Sequence, residues 1–190
     1  MRIAIMSDSH DNIWHLKTAL ELIADAKVEA IIHCGDFVAP FMLKRIEKAG
    51  IPVHGVLGNN DGSVLTLARA AYKELSHIHL HDVVGKVTLG GCRIAFTHHP
   101  EVGRAFAATG NFDLVCCGHS HTWHQETIGR CTLLNPGEIM GSNGDPSFAL
   151  LDTQKETISK ITFPHAVRKD SGSALHLDNT RRETYTMRRC

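Results

Sequence analysis

The 190-residue chain has no net charge, no long apolar run, few aromatic residues and no paired cysteine spacing. Each absence removes a class of protein. Its 20 Lys and Arg residues balance 20 Asp and Glu, so no global field favours nucleic acid or an anionic membrane. No apolar stretch approaches the ~20 residues of a membrane span. The opening Met-Arg-Ile-Ala-Ile-Met-Ser-Asp meets charge too early for a signal peptide's apolar core, so a cytoplasmic protein is expected. Cys34, Cys92, Cys116, Cys117, Cys131 and Cys190 make no C-x-x-C pair. Four of them fall in apolar, strand-like runs, where Cys acts as a small buried hydrophobe. Disulfides and a thiolate metal site are therefore not expected, and neither repeats nor low-complexity stretches occur.

At 43% hydrophobic and 21% charged, the chain reads as one globular domain, long enough for a core without covalent staples. Its 14 histidines outnumber the seven Phe, two Tyr and two Trp together. Histidine is the commonest metal ligand and the proton carrier at neutral pH, so its placement matters.

Arg2 to Met6 reads as a buried strand running into a polar loop. Ile13, Leu16, Leu20 and Ile23 follow at helical spacing, with Asn12 or Asp11 available as a cap. Ala30 to Cys34 and Val53 to Leu57 predict further strands. Helices are predicted from about Pro40 to Lys48 and from Ser63 to Leu75. This β-α-β-α-β-α order predicts parallel strands with crossover helices. Later come a hairpin signal at Gly90-Gly91, a helix from about Glu101 to Thr109, and short strands at 114–117, 132–134, 148–151 and 158–163. The predicted domain spans 1–163, and 164–190 reads as a poorly ordered or loosely docked C-terminal tail.

Polar residues fall at the ends of these strands. Asp8 and His10 follow the first strand, Asp36 the second, Asn59 the third, His98 the strand 93–96, and His119 and His121 the strand 114–117. In open α/β sheets, ligands bind at the carboxyl edge. Any one of these residues alone is better explained as a cap, a turn or a loop group. Five strand ends, each carrying an oxygen or imidazole donor, point to divalent metal. Seven donors suit two ions with one shared carboxylate.

The blocks Asp8-Ser9-His10, Gly35-Asp36, Gly58-Asn59-Asn60-Asp61, His98 and Gly118-His119-Ser120-His121 resemble, in order, those of the calcineurin-like metallophosphoesterases. Asn135-Pro136-Gly137 resembles a block of their small single-domain phosphodiesterase branch. The resemblance implies an α/β fold, the αββα sandwich of two sheets flanked by helices. It also implies that Asp8, His10 and His121 hold one metal, that Asn59, His98 and His119 hold the other, and that Asp36 bridges. Manganese is the expected metal, with Fe, Ni, Co or Zn as alternatives. Paired ions activate a water and clamp phosphoryl oxygens for in-line displacement. The implied activity is hydrolysis of a phosphodiester. A phosphomonoesterase or nucleotidase is the alternative, as is a non-catalytic scaffold like the relatives found in trafficking complexes. The expected partner is a phosphate-ester small molecule or nucleotide, without membrane or nucleic acid; self-association stays open.

Several positions depart from the family pattern. Asn60 stands where many relatives carry a proton-donating His, and an amide cannot deliver a proton at neutral pH. Asp61 would ordinarily orient that His and here positions a turn. His99 replaces a glycine and is expected first as a surface or loop residue, with proton donation as the alternative role. Asp11 replaces another glycine, and Glu138 replaces the Ser after Asn-Pro-Gly. His33 is expected to orient a ligand residue or to pack at the strand end. Trp14 and Trp123 flank two motifs and are candidates either for the pocket mouth or for core packing.

Overall fold

A computed structural model describes residues 1–165 and 179–187. The first half contains β1 (Arg2–Met6), α1 (Ile13–Asp25), β2 (Ala30–His33), α2 (Pro40–Ile46), β3 (Val53–Gly55), α3 (Val64–Arg69) and β4 (Ile78–Leu80). The second half contains β5 (Val84–Leu89), β6 (Cys92–Thr97), α4 (Pro100–Ala108), β7 (Leu114–Cys116), β8 (Trp123–Ile128), β9 (Cys131–Pro136), β10 (Ser147–Asp152) and β11 (Thr157–Thr162). A last strand, β12 (Arg181–Thr186), follows.

The strands form two sheets, ordered β12-β11-β10-β1-β2-β3-β4 and β5-β6-β7-β9-β8. β1 to β4 are parallel, as are β6, β7 and β9. Helices α1, α2 and α3 cover the outer face of the larger sheet, and α4 covers the smaller. Central strands are thus apolar on both faces. In β1, Ala4 and Met6 face the helices, while Ile3 and Ile5 enter the core between the sheets. Each Ile or Met among them contributes about 1.5–3 kcal/mol through burial. This is the expected αββα sandwich.

Local signals act where their chemistry predicts. The Asn12 side chain accepts a hydrogen bond from His15 N at 3.1 Å and caps α1. Ser63 caps α3, and Gly50, at φ +66°, ends the turn after α2. Cys34, Cys92, Cys116, Cys117 and Cys131 are free and buried, as their apolar settings predict.

The C-terminal end differs from expectation. Arg181–Thr186 pairs with β11 in full register and extends the larger sheet, and Met187 is buried between the sheets. Its side chains from Arg181 to Thr186 are all exposed. The strand is held by its backbone ladder, so it carries no hydrophobic alternation to read. β8, with its polar Trp-His-Gln-Glu-Thr-Ile sequence, escapes notice for the same reason. Residues 166–178 and 188–190 of the predicted tail lie outside the described residues.

Candidate metal centre

The carboxyl ends of β1, β2 and β3 from one sheet meet those of β6 and β7 from the other. Backbone bonds tie the loops together: Asp8 N donates to Gly35 O at 3.1 Å, His10 N to Asp36 O at 2.9 Å, and Gly118 N to His98 O at 2.9 Å. Two glycines allow the approach. A Cβ at Gly58 would overlap the Asp36 carboxylate, and one at Gly118 would overlap the Ser7 hydroxyl.

All seven predicted donors gather there. Ligand atoms of Asp8, His10, Asp36 and His121 lie within 4.8 Å of one another. His121 Nε2 is 3.4 Å from Asp8 Oδ1, and His10 Nε2 is 3.6 Å from Asp36 Oδ2. On the other side of Asp36, His98 Nε2 is 3.5 Å from Asp36 Oδ2. Asn59 Oδ1 lies 2.8 Å from both His98 Nε2 and His119 Nδ1. Asp36 thus stands between two sets of donors.

Three observations fit this arrangement to cations. First, polar atoms there lack other partners. His10 Nε2 is buried without a hydrogen bond. His98 Nδ1 lies 2.8 Å from the Cys34 carbonyl, an acceptor that fixes the N–H at that position and leaves the Nε2 lone pair facing the oxygens of Asn59 and Asp36. Burial holds the His98 imidazole below its ordinary pKa despite Asp36, so lone pair meets lone pair unless a cation intervenes. Second, Asp8, His10, Asp36, His119 and His121 all adopt left-handed φ, between 43° and 69°. Non-glycine residues held there cost of order 1 kcal/mol or more each and cluster at functional sites. Third, the two carboxylates diverge. Burial, aided by Asp36, pushes Asp8 up to about 6. Burial also acts on Asp36, yet hydrogen bonds from Asn60 and the imidazoles of His98 and His10 hold it below its ordinary value. A cation removes that conflict.

The other candidates separate. The Asn60 side chain donates to Asp36 Oδ2 at 2.9 Å and its N–H to Asp36 Oδ1 at 2.8 Å. It orients the Asp36 carboxylate. Asp61 accepts from Asp36 N, Val38 N and Gly58 N at 3.1, 2.7 and 2.7 Å. Its oxygens are occupied by backbone, so Asp61 clamps the β2 and β3 loops and makes no approach to reacting atoms; the turn role expected for it widens to two loops. The His99 ring lies 5.2 Å from those of His98 and His119, half-buried at the rim. His33 is fully buried, stacked on Phe37 at 4.0 Å, and bonded to the Ser9 hydroxyl at 3.0 Å. Burial pushes its pKa down to about 3, so it supports the Asp8–His10 loop as a neutral ring.

Residues 1–156 match the family model of the calcineurin-like phosphoesterase superfamily domain. The chain belongs to the calcineurin-like phosphoesterase superfamily. Phosphodiesterase MJ0936 of Methanocaldococcus jannaschii is 34% identical over 166 residues, covering 86% of this chain and 99% of the relative. A probable metallophosphoesterase of Bacillus subtilis, YsnB, is 30% identical over 148 residues, 73% of this chain and 75% of that protein. Among solved structures, an archaeal phosphodiesterase superposes with a TM-score of 0.76 at 33% identity, covering 85% of this chain and 99% of its own. Vps29 of Chaetomium thermophilum shares the fold, with a TM-score of 0.67 at 20% identity over 98% of this chain and 99% of its own. As a superfamily member with this donor cluster, the chain binds divalent metal.

Two features of this calcineurin-like site were not legible in the sequence. Glu138, noted only as a departure from the motif, lies 2.7 Å from His121 Nδ1 and is 2% exposed. Ser142 Oγ and Asn143 N donate to it at 2.9 and 2.6 Å. It therefore fixes the tautomer that leaves His121 Nε2 free. Beyond His121, a cleft of about 290 Å³ carries Lys160 and Arg181 together with Asp145 and Glu183. Arg181 comes from the strand that carried no apolar signal. Opposite charges accompany both cations, so the cleft makes no strongly positive subsite.

Proposed function

We propose that the protein is a phosphodiesterase that uses two divalent metal ions, manganese first among them, in the cytoplasm. The observation that carries the reading is Asp36 standing between two complete sets of donors at one sheet edge. In this reading Asp8, His10 and His121 hold one ion, Asn59, His98 and His119 hold the second, and Asp36 is shared. Bound there, the ions supply an activated water at neutral pH and positive charge against the phosphoryl oxygens. The residues themselves position and shuttle protons. Glu138 aims His121, the Cys34 carbonyl aims His98, and Asn60 aims Asp36. In this reading His99, whose ring lies 5.2 Å from that of His119 at the rim, protonates the leaving oxygen. The intact donor set argues against a purely non-catalytic scaffold.

A diester brings one charge and needs fewer donors opposite the metals than a dianionic monoester. With Mn²⁺, an aryl phosphodiester should therefore show a higher kcat/KM than the monoester of the same phenol. A monoester preference of tenfold or more would overturn the diesterase assignment.

A further inference from the structure

Three histidines that take no part in the metal centre gather at the β4 edge of the larger sheet. The register there runs Ala149, Ile5, Ile32, His54, His79, from β10 across β1, β2 and β3 to β4. Ala149, Ile5 and Ile32 face the core between the sheets, so His54 and His79 carry that same face out to the edge. An apolar row thus ends in two imidazoles. His81, two residues beyond His79 and on the same side of the chain, adds a third. Its N–H donates to Gly55 O at 2.7 Å, and its ring packs edge-on against Phe96 of the smaller sheet at 5.1 Å. His54 and His81 are half-buried and His79 is exposed. His54 Nδ1 lies 3.3 Å from His81 Nε2, and the His54 and His79 rings stack 5.0 Å apart. Burial and the two neighbouring imidazoles push His54 down to about 4, and burial with His79 holds His81 below its ordinary value. Both rings are therefore neutral at pH 7 and have lone pairs to offer a cation.

We infer that His54 and His81, with His79 as third ligand, bind one further transition-metal ion of the Zn²⁺ or Cu²⁺ class, separate from the dinuclear centre. The spacing of the first pair fits such an ion. Two Zn–N bonds of ~2.0–2.1 Å at the tetrahedral angle set their nitrogens about 3.3–3.4 Å apart. His79 is exposed, so rotation of its side chain, a fast local motion, completes the set. Water takes the fourth position. An all-imidazole site suits zinc, copper or nickel, whereas manganese and magnesium favour carboxylate and carbonyl oxygen. The ion has a structural role: it joins β3 to the far end of β4, a three-residue strand with no neighbour on its outer side among the described residues. The inference does not depend on the diesterase reading.

The test equilibrates the full chain with low-micromolar Zn²⁺ and counts zinc by metal analysis, with His54→Gln and His81→Gln alongside. Each variant should hold one Zn²⁺ fewer per chain than the native protein. The dinuclear centre is common to all three proteins, so the difference reads the edge site alone, whatever the first centre binds. Equal counts overturn the site, as does a difference that emerges only at millimolar Zn²⁺. His79→Gln, a change at an exposed position, should weaken this ion by about tenfold or more, at least what loss of a supporting contact costs at metal sites; unchanged affinity overturns the three-ligand set. If either of the first two variants fails to fold, the native protein decides. In ¹⁵N spectra of the imidazoles, the ring nitrogens of His54, His79 and His81 should shift together as Zn²⁺ is added. Rings indifferent to Zn²⁺ overturn the proposal.

Discussion

Replacing Glu138 with Gln tests how far a buried carboxylate outside the ligand set governs the centre. The substitution keeps length and volume but exchanges one acceptor oxygen for an amide. Three donors converge on the native carboxylate: His121 Nδ1 at 2.7 Å, Ser142 Oγ at 2.9 Å and Asn143 N at 2.6 Å. Hydrogen bonds to a charged group each contribute about 1.5–3 kcal/mol. The amide retains an oxygen for one or two donors and turns its own N–H₂ against another. The His121 contact is the exposed consequence: without the acceptor, the ring is free to rotate or to take the other tautomer, which withdraws Nε2 from Asp8. Loss of such a supporting partner typically costs 10–100-fold in metal affinity, equivalent to about 1.4–2.7 kcal/mol. Isothermal titration with Mn²⁺ on stripped protein reads this directly, and the His121→Ala variant gives the floor for that ion. Gln should weaken one ion and leave the other near its native affinity. Native affinity for both ions, with unchanged activity, would refute the idea that Glu138 aims His121.

Other outcomes follow from the same geometry. Asp36→Ala should weaken both ions, whereas Asn59→Ala and His121→Ala should each weaken a different one, as metal analysis of Mn²⁺-refilled protein will report. Stripping the metal should lower the melting temperature: an ion at 100 times its Kd adds about 2.7 kcal/mol, or roughly 5–10 °C for a domain of this size. With His99 as proton donor, activity should depend only weakly on leaving-group pKa, and His99→Asn should steepen that dependence by slowing poor leaving groups most; a dependence unchanged by the variant removes His99 as proton donor. Away from the site, Glu47 accepts hydrogen bonds from the N–H groups of Ser76 and His77 and lies 2.9 Å from His77 Nδ1. Burial opposes these bonds, but they prevail and hold Glu47 below its ordinary value of 4.5. Its contribution is therefore present above pH about 4.5 and lost as pH falls through the lower folded-state value. The melting temperature gap between native protein and Glu47→Gln, worth about 0.5–1 kcal/mol for a partly exposed clamp, should close on acidification; a gap that widens would refute it.

The sequence by itself determined the parallel half of the fold and which polar residues would meet at its edge. Buried strands such as Ile3–Met6 and Ala30–Ile32 are apolar on both faces, so they stand out as short runs. Metal donors must sit where such strands end, so Asp8, Asp36, Asn59, His98 and His119 mark those ends even in one sequence. Asn60 and Asp61 were legible as site residues but not in their roles, because an amide or carboxylate can face a reacting atom or a backbone N–H, and only the fold selects which. Tertiary structure alone decided that Glu138, 17 residues from His121, supports its ring. It also decided that Trp14 and Phe41, on different helices, share one groove, and that Arg181–Thr186 closes the larger sheet. Those pairings depend on backbone hydrogen bonds and on contacts between distant segments. Such interactions impose no periodicity on the chain, so no residue pattern announces them.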